Sequence, residues 1–250
     1  MDIRGNTVLI TGGSTGIGFS LAEALVEAGN EVIVCGRRQE KLDEAKSRLP
    51  QIHAKAFDVS KADERKALFE WVESSFPDTN VLLNNAGIQR MIDFRKGTAE
   101  FLAIEDEIDT NFKAYVHLAA YFIPPFMKKE HAAIINVSSG LGFVPIATMP
   151  VYCATKAAVH SFTMSLRHQL RDTPIKVFEV IPPTVNTDLD KGARARRGQT
   201  DLGILPAEVT KAVMAALEKD EYEIPVGQAQ GLRTGARSNP DEIFQRMNRW

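Results

Sequence analysis

The sequence predicts an α/β fold: a doubly wound parallel sheet of about seven strands with helices on both faces, built as one domain over residues 1–250. Three observations predict it. Short, nearly continuous apolar runs alternate with longer amphipathic stretches along the chain, and strands of uninterrupted apolar character belong to sheets covered on both sides. A glycine-rich turn, Thr11-Gly12-Gly13-Ser14-Thr15-Gly16-Ile17-Gly18, separates the first apolar run from the first amphipathic one. No linker, internal repeat or low-complexity segment divides the sequence.

Each element has its own signal. Thr7–Ile10 reads as the first strand, and Phe19–Ala28 as a helix with Leu21, Ala24, Leu25 and Ala28 at helical spacing and Gly29 as its stop. Glu31–Cys35 is the second strand, and Gln39–Leu49 the second helix, closed by Pro50. Ile52–Phe57 and Ala62–Phe76 are the third strand and helix. Val81–Leu83 is the fourth strand and runs into Asn84-Asn85-Ala86-Gly87. Asp106–Met127 predicts a helix with a possible break at Pro124-Pro125, since proline lacks the N–H a helix interior needs. Then follow strand Ala133–Val137, the long helix Val151–Leu170, strand Ile175–Ile181, helix Pro206–Leu217 and a short last strand, Tyr222–Val226. The tail from Asn239 to Met247 reads as a capped amphipathic helix. In such a sheet the crossovers are right-handed and ligands bind outside the carboxyl ends of the strands.

The bulk composition narrows the function. With 44% hydrophobic and 25% charged residues, the chain has material for a normal core. A formal net charge of −2 gives no reason to expect nucleic acid or a membrane surface as a partner. No apolar stretch approaches the ~20 residues that span a bilayer, and the apolar run behind Met1–Asn6, only Thr7–Ile10, is too short for a signal peptide. Cys35 reads as buried filling and Cys153 as a small packing residue. No Cys/His cluster has zinc spacing, so no metal site is expected, and a reducing cytoplasm is the expected location.

Two patterns point to chemistry. Tyr152 and Lys156 are four residues apart, about one helical turn, and so share a face. An ammonium beside a phenol favours the phenolate and lowers a pKa that is ordinarily ~10, which makes a proton donor usable near neutrality. Gly12, Gly16 and Gly18, between a strand and a helix, allow a tight turn and close approach of a pyrophosphate to the helix N-terminus. Their spacing, Gly-x-x-x-Gly-x-Gly, differs from the common Gly-x-Gly-x-x-Gly. At the end of the second strand, where an acidic residue would pair with a ribose 2′-hydroxyl, stand Gly36-Arg37-Arg38. Arginine grips a 2′-phosphate with two N–H groups, so NADPH/NADP+ is favoured over NADH; the same pair would otherwise be a solvated cap on the next helix. Asp58-Val59 after the third strand suits either an adenine amino group or, through Asp58, a helix cap.

With these motifs in order, the chain resembles the short-chain dehydrogenase/reductase family, in its compact single-domain, Rossmann-like branch. The resemblance covers about Thr7 to Thr187 and rests on Thr11–Gly18, Asp58-Val59, Asn84-Asn85-Ala86-Gly87, Asn111, Ser139, Tyr152 with Lys156, and Pro182–Thr187. It is similar, more narrowly, to a bacterial subgroup named after teichoic-acid D-alanylation genes, a name that carries no substrate. The resemblance implies that Tyr152 is the general acid in reduction and the base in oxidation. Lys156 lowers its pKa and binds the nicotinamide ribose. Ser139, thirteen residues before Tyr152, bonds the substrate oxygen, with Ser138 structural. Asn111 holds a water of a proton relay, unless it only satisfies a helix irregularity. The turn Gly12, Ser14, Thr15, Gly16, Ile17 and Gly18 holds the pyrophosphate. Asn85, Ala86 and Gly87 line the adenine ribose, and Ile181 and Thr187 touch the carboxamide.

The resemblance also implies a small-molecule carbonyl or alcohol as substrate and a homodimer or homotetramer paired through the two long helices. Two departures stand out. Pro182-Pro183 replaces the family's usual Pro-Gly, and Ser14 and Thr15 stand where NADPH-preferring members often carry a basic residue. The rim residues Gly140–Val144, Met149 and Gln89-Arg90-Met91 are mostly apolar, so the substrate is expected to have an apolar body. Lys191, Arg194, Arg196 and Arg197 lie in the segment 188–205 that the family uses as a lid; they would attract an anion or serve as a solvated face. A catalytically silent NADPH-binding regulator or scaffold is the competing reading, opposed by the full Asn111, Ser139, Tyr152, Lys156 set. A sugar-nucleotide epimerase is disfavoured by the glycine spacing and the lack of a second domain.

Overall fold

The computed structural model describes residues 1–189 and 203–249, with residues 100–102 described by their backbone alone. Seven parallel strands form one sheet in the order β3-β2-β1-β4-β5-β6-β7. They are β1 Thr7–Thr11, β2 Glu31–Gly36, β3 His53–Ala56, β4 Thr79–Asn84, β5 Ala132–Val137, β6 Ile175–Ile181 and β7 Glu223–Pro225. The order reverses between β1 and β4, which opens a crevice beyond their carboxyl ends. The glycine turn and Asn85–Gly87 both lie there, each directly following its strand.

Strand alternation assigns the two faces. Val8, Ile10, Val32, Val34, Leu83 and Ile135 point to one side, where they meet Phe19, Leu21 and Leu25 of α1 (Gly16–Glu27) and Leu42 of α2 (Gln39–Arg48). Val209, Val213 and Leu217 of a later helix close that face. Leu9, Ile33, Leu82, Ile134 and Val177 point to the other side, against Leu68 and Val72 of α3 (Ala62–Ser75) and against Tyr115, Leu118, Phe122 and Phe126. Each such side chain contributes about 1.5–3 kcal/mol on burial, so the helices are held by these apolar stripes.

The region expected as one helix over Asp106–Met127 is built in three parts. α4 spans Phe101–Ile108, a π-helical turn spans Asp109–Lys113, and α5 spans Ala114–Phe126. Pro124 and Pro125 do not break it: both lie in the last turn of α5, and Met127 N–H still donates to Ile123 O at 2.9 Å. α6 runs over Pro150–Gln169 and α7 over Pro206–Glu218. A helix not expected from the pattern, α8 (Gln228–Ser238), precedes the tail helix α9 (Pro240–Met247). No helix among the described residues is long and apolar enough to cross a membrane.

Candidate active site

The crevice is built first by β1 and β4. Thr11 Oγ1 accepts from the Asn85 and Ala86 N–H groups at 3.0 and 3.1 Å, while Asn85 Nδ2 donates to Thr11 O and Gly12 O at 3.0 and 3.1 Å. These bonds clamp the glycine turn to the end of β4. Gly12 has φ +65°, and a Cβ there would lie 2.9 Å from Ala86 Cα, so no side chain fits. A Cβ on Gly18 would lie 2.4 Å from Gly12 O, so the start of α1 sits directly on the turn. This is a cradle with bare backbone at a helix N-terminus, the arrangement a pyrophosphate needs. Thr187 closes its other side, since a Cβ on Gly16 would meet Thr187 Cγ2 at 2.9 Å. Ile181, at the end of β6, is fully buried, and its carbonyl accepts from Val226 N–H at 3.0 Å.

Arg37 and Arg38 are exposed at the end of β2. Ser14 borders them, with its Oγ 3.3 Å from where a Gly36 Cβ would be. Arg37 Nη1 lies 3.7 Å from Asp106 Oδ1, and Asp106 is held on its other oxygen by Arg90 Nη2 at 2.5 Å. Asp58 does not cap α3, whose N-cap is Lys61. Its Oδ1 instead accepts from Ser60 N–H and Ser60 Oγ at 3.0 and 2.7 Å, which shapes the turn after β3, and Val59 is buried beneath it.

The candidate catalytic groups converge where β4, β5 and α6 meet. Lys156 is 3% exposed, and its Nζ donates to Val137 O at 2.8 Å. The ammonium stands 5.8 Å from the Tyr152 ring centre and 5.4 Å from that of Tyr115. Burial pushes it down to about 7, with the Glu107 carboxyl acting in the opposite sense. A Cβ on Gly87 would lie 3.5 Å from Asn111 Oδ1 and 3.7 Å from Lys156 Nζ, so Gly87 separates those two side chains by a single backbone. Asn111 lies in the π turn, yet its side chain does not serve that turn. Oδ1 accepts from Ile88 N–H at 2.8 Å, and Nδ2 donates to Ile88 O at 2.9 Å and Thr155 Oγ1 at 3.2 Å. It pins the segment after β4 against α6.

The two serines separate cleanly. Ser138 is buried and faces away from the crevice, donating to Glu179 Oε1 at 2.5 Å; the other oxygen of Glu179 is 2.8 Å from His160 Nδ1. Ser139 caps the turn Gly140–Gly142 by accepting from Leu141 N–H at 3.1 Å, which fixes Oγ and leaves its hydrogen to donate. Gly142 packs so closely on α6 that a Cβ would lie 2.9 Å from Lys156 C. Of the rim, Met149 is buried against Tyr152 and Cys153, while Phe143 lies over the His160 ring at 4.5 Å. Asn248, beyond α9, holds this loop from outside: its Oδ1 accepts from Ala147 N–H at 2.7 Å and its Nδ2 donates to Pro145 O at 3.1 Å.

Pro182 is accommodated by its carbonyl, which accepts from Gly140 N–H at 3.0 Å. Lys191, Arg194, Arg196 and Arg197 lie outside the described residues. Among the described residues, Val185 and Ile204 form a parallel bridge. Sequence reasoning missed three residues at this site: Tyr115 under Lys156, Thr155 beside Asn111, and Glu107, buried near Lys156 with its carboxyl pushed up to about 7 by burial. Among the described residues no group of three or more His, Cys, Asp or Glu side chains could hold a metal.

A doubly wound parallel sheet, a glycine cradle at its switch point and a Tyr/Lys pair on the adjoining helix define a nicotinamide-dependent oxidoreductase of the CH–OH/C=O class. A family model, short chain dehydrogenase, matches residues 6–198, and the chain belongs to that family. It is 51% identical to the uncharacterized oxidoreductase DltE of Bacillus subtilis (strain 168), over 99% of this chain and 98% of that one. It is 31% identical to the NADP-dependent 3-hydroxy acid dehydrogenase YdfG of Escherichia coli O6:H1, over 82% of this chain and 86% of that one. A crystal structure of a short chain dehydrogenase from Burkholderia cenocepacia J2315 in complex with NADP superposes with a TM-score of 0.84 at 27% identity, covering 99% of both chains.

Proposed function

We propose that the protein is an NADP(H)-dependent oxidoreductase that exchanges a hydride between the nicotinamide and a small carbonyl or alcohol with an apolar body. Tyr152 is its proton donor and acceptor. The observation that carries this reading is the buried Lys156, held on Val137 O beside Tyr152 and separated from Asn111 by Gly87 alone. Burying an amine is costly, and a ribose contact alone would not require that amine to stand beside a phenol.

The cofactor supplies the hydride when bound. Gly12, Ser14, Thr15, Gly16, Ile17 and Gly18 would hold its pyrophosphate, Arg37 and Arg38 its 2′-phosphate, and Asp58 and Val59 its adenine. Asn85, Ala86 and Gly87 would line the adenine ribose, Tyr152 and Lys156 the nicotinamide ribose, and Ile181 and Thr187 the carboxamide. Hydride addition builds negative charge on the carbonyl oxygen. Ser139, with its oxygen already fixed by Leu141 N–H, donates to that oxygen where the charge develops, and Tyr152 transfers its proton. Lys156 keeps the phenol acidic and restores its proton, with Asn111 shaping the wall behind it. We place the enzyme in the cytoplasm as a homodimer or homotetramer.

The test is a panel of ketones, quinones and 3-hydroxy acids followed by NADPH absorbance, the last class because of the Escherichia coli relative's name. Tyr152→Phe should lose roughly 10²–10⁴ in kcat with cofactor affinity nearly unchanged. Normal kcat in that variant would remove Tyr152 from the chemistry.

A further inference from the structure

Glu179 lies inside β6, between Phe178 and Val180, and is fully buried. A carboxyl within an interior strand is costly, and an apolar side chain would pack there at lower cost. Both of its oxygens are engaged, and each reaches a different element. Oε1 accepts from Ser138 Oγ at 2.5 Å, just past the end of β5. Oε2 lies 2.8 Å from Nδ1 of His160 on α6. An ionised carboxylate only accepts, so that nitrogen carries its hydrogen. A residue that breaks the local rule of an apolar strand, yet joins two elements of the site, points to function.

The two arms end beside the two groups read as donors to the substrate oxygen. Ser138 is the chain neighbour of Ser139. Its N–H donates to Val180 O at 2.9 Å, and that of Gly140 to Pro182 O at 3.0 Å, so Ser139 is strung along β6 with extended backbone, φ −167° and ψ 153°. In an extended chain neighbouring side chains point to opposite faces, so pinning Ser138 on one face fixes where Ser139 Oγ emerges on the other. His160 follows Lys156 by four residues and Tyr152 by eight, along one side of α6. The loop that follows Ser139 rests on the same stretch. A Cβ on Gly142 would lie 2.9 Å from Lys156 C, and the Phe143 ring is 4.5 Å from that of His160.

We propose that Glu179 is a positioning residue that sets the separation between Ser139 and Tyr152. Its carboxyl ties the serine end of β5 to the helix that carries the tyrosine, through Ser138 on one side and His160 on the other. The proposal rests on Ser139 and Tyr152 bonding the same substrate oxygen. Two donors stabilise one developing charge only while both stay within hydrogen-bond reach of it. A shift of about 1 Å in one of them can cost roughly 10² in rate. Glu179, Ser138 and His160 touch no reacting atom and take no part in the proton transfer.

The experiment uses the full chain with NADPH and phenanthrenequinone, an activated apolar dicarbonyl, and compares S138A, H160L, E179M and E179Q in the wild-type and S139A backgrounds. S138A removes one arm, H160L the other, and E179M both. Loss of one arm should lower kcat about tenfold and loss of both roughly 10²-fold, with KM within about twofold. E179Q keeps an oxygen for Ser138 and offers an N–H to the other tautomer of His160, so it should recover most of the rate. Because the effect runs through Ser139, none of these changes should lower kcat further once Ser139 is alanine. Wild-type kcat in S138A and E179M overturns the proposal. So does the same fractional loss in both backgrounds, the result expected of a network that only supports the fold. A substrate-free measurement covers variants without measurable turnover or that fail to fold: amide exchange followed by NMR in S138A, the mildest change. Leu141 N–H, which donates to Ser139 Oγ, should exchange several-fold faster, with Asn85 and Ala86 N–H unchanged. Unaltered exchange at Leu141 overturns the proposal. Normal kcat in S139A and Y152F would instead sink the reading of the site, whereas an inactive S139A beside a fully active E179M sinks the role of Glu179 alone.

Discussion

In the proposed reading, Arg37 is the charge that chooses between two cofactors. The guanidinium lies 3.7 Å from Asp106, in a pair whose side chains are 43% and 28% exposed. Such a pair holds weakly, and a phosphate that accepts two charge-assisted bonds displaces it. Arg37→Asp removes those bonds and offers an acceptor to a 2′-hydroxyl. The expected result is at least a tenfold loss of NADPH affinity relative to NADH, from contacts worth ~1.5–3 kcal/mol each. Fluorescence titration with both cofactors reads it, and an unaltered ratio would make Arg37 a surface charge. That Tyr152 and Lys156 share one helix was legible from their spacing along the chain, whereas Ser139 was singled out only through the family resemblance. Glu107 was not legible, because a glutamate in an amphipathic stretch reads as part of the solvated face; only the return of Arg90 and Lys156 around it reveals that it is enclosed. Asp58 was legible only as a choice of two roles, and the Lys61 cap removes one of them.

Most strands were legible as elements because they are short apolar runs, several of them ended by a glycine, proline or asparagine, and their observed limits differ from the expected ones by a few residues. The π turn at Asp109–Lys113 was not, since hydrophobic periodicity hardly changes when one extra residue enters a helix. α8 was missed for another reason: it buries only Ala229 and contains Gly231 and Gly235, so it carries no apolar stripe to read. It is held by packing instead, because Gly235 lets Ile243 of α9 approach to where a Cβ would be 2.4 Å away. These two helices hold Asn248 against the substrate-side loop. Asn248→Ala should therefore loosen residues 145–147 without touching the Tyr152–Lys156 pair. KM should rise several-fold with kcat within about twofold, as for a lost positioning contact of ~0.5–1.5 kcal/mol. A fall in kcat at unchanged KM would show that this clamp governs the chemistry rather than the fit.

For the molecule as a whole, the site is a load on stability, and the load depends on pH. The Glu107 carboxyl rises from its ordinary 4.5 to about 7 in the folded protein. Between those values the folded chain keeps a proton that the unfolded chain has released. Its stabilising share is complete below 4.5 and is lost as pH climbs to 7. Lys156 falls from 10.5 to about 7, so above 7 the unfolded chain holds the extra proton and stability rises with pH. The pair should leave a minimum in stability near neutrality when no cofactor is added. E107Q removes the first limb, so its stability relative to wild type should grow between pH 4.5 and 7 by roughly 3 kcal/mol. Urea unfolding across pH 4–9 checks this, and parallel curves would refute it. The closure of the glycine turn by Thr187 has a consequence for how the protein is made. The strands β3, β2, β1 and β4 are neighbours in space and leave the ribosome first, whereas the wall that completes the dinucleotide cradle follows β6. A nascent chain therefore carries the glycine turn long before Thr187 can close it, with the edge of β4 open until β5 arrives. Cellular coenzyme then stabilises finished copies alone, and a truncated product is left to the proteases without that protection.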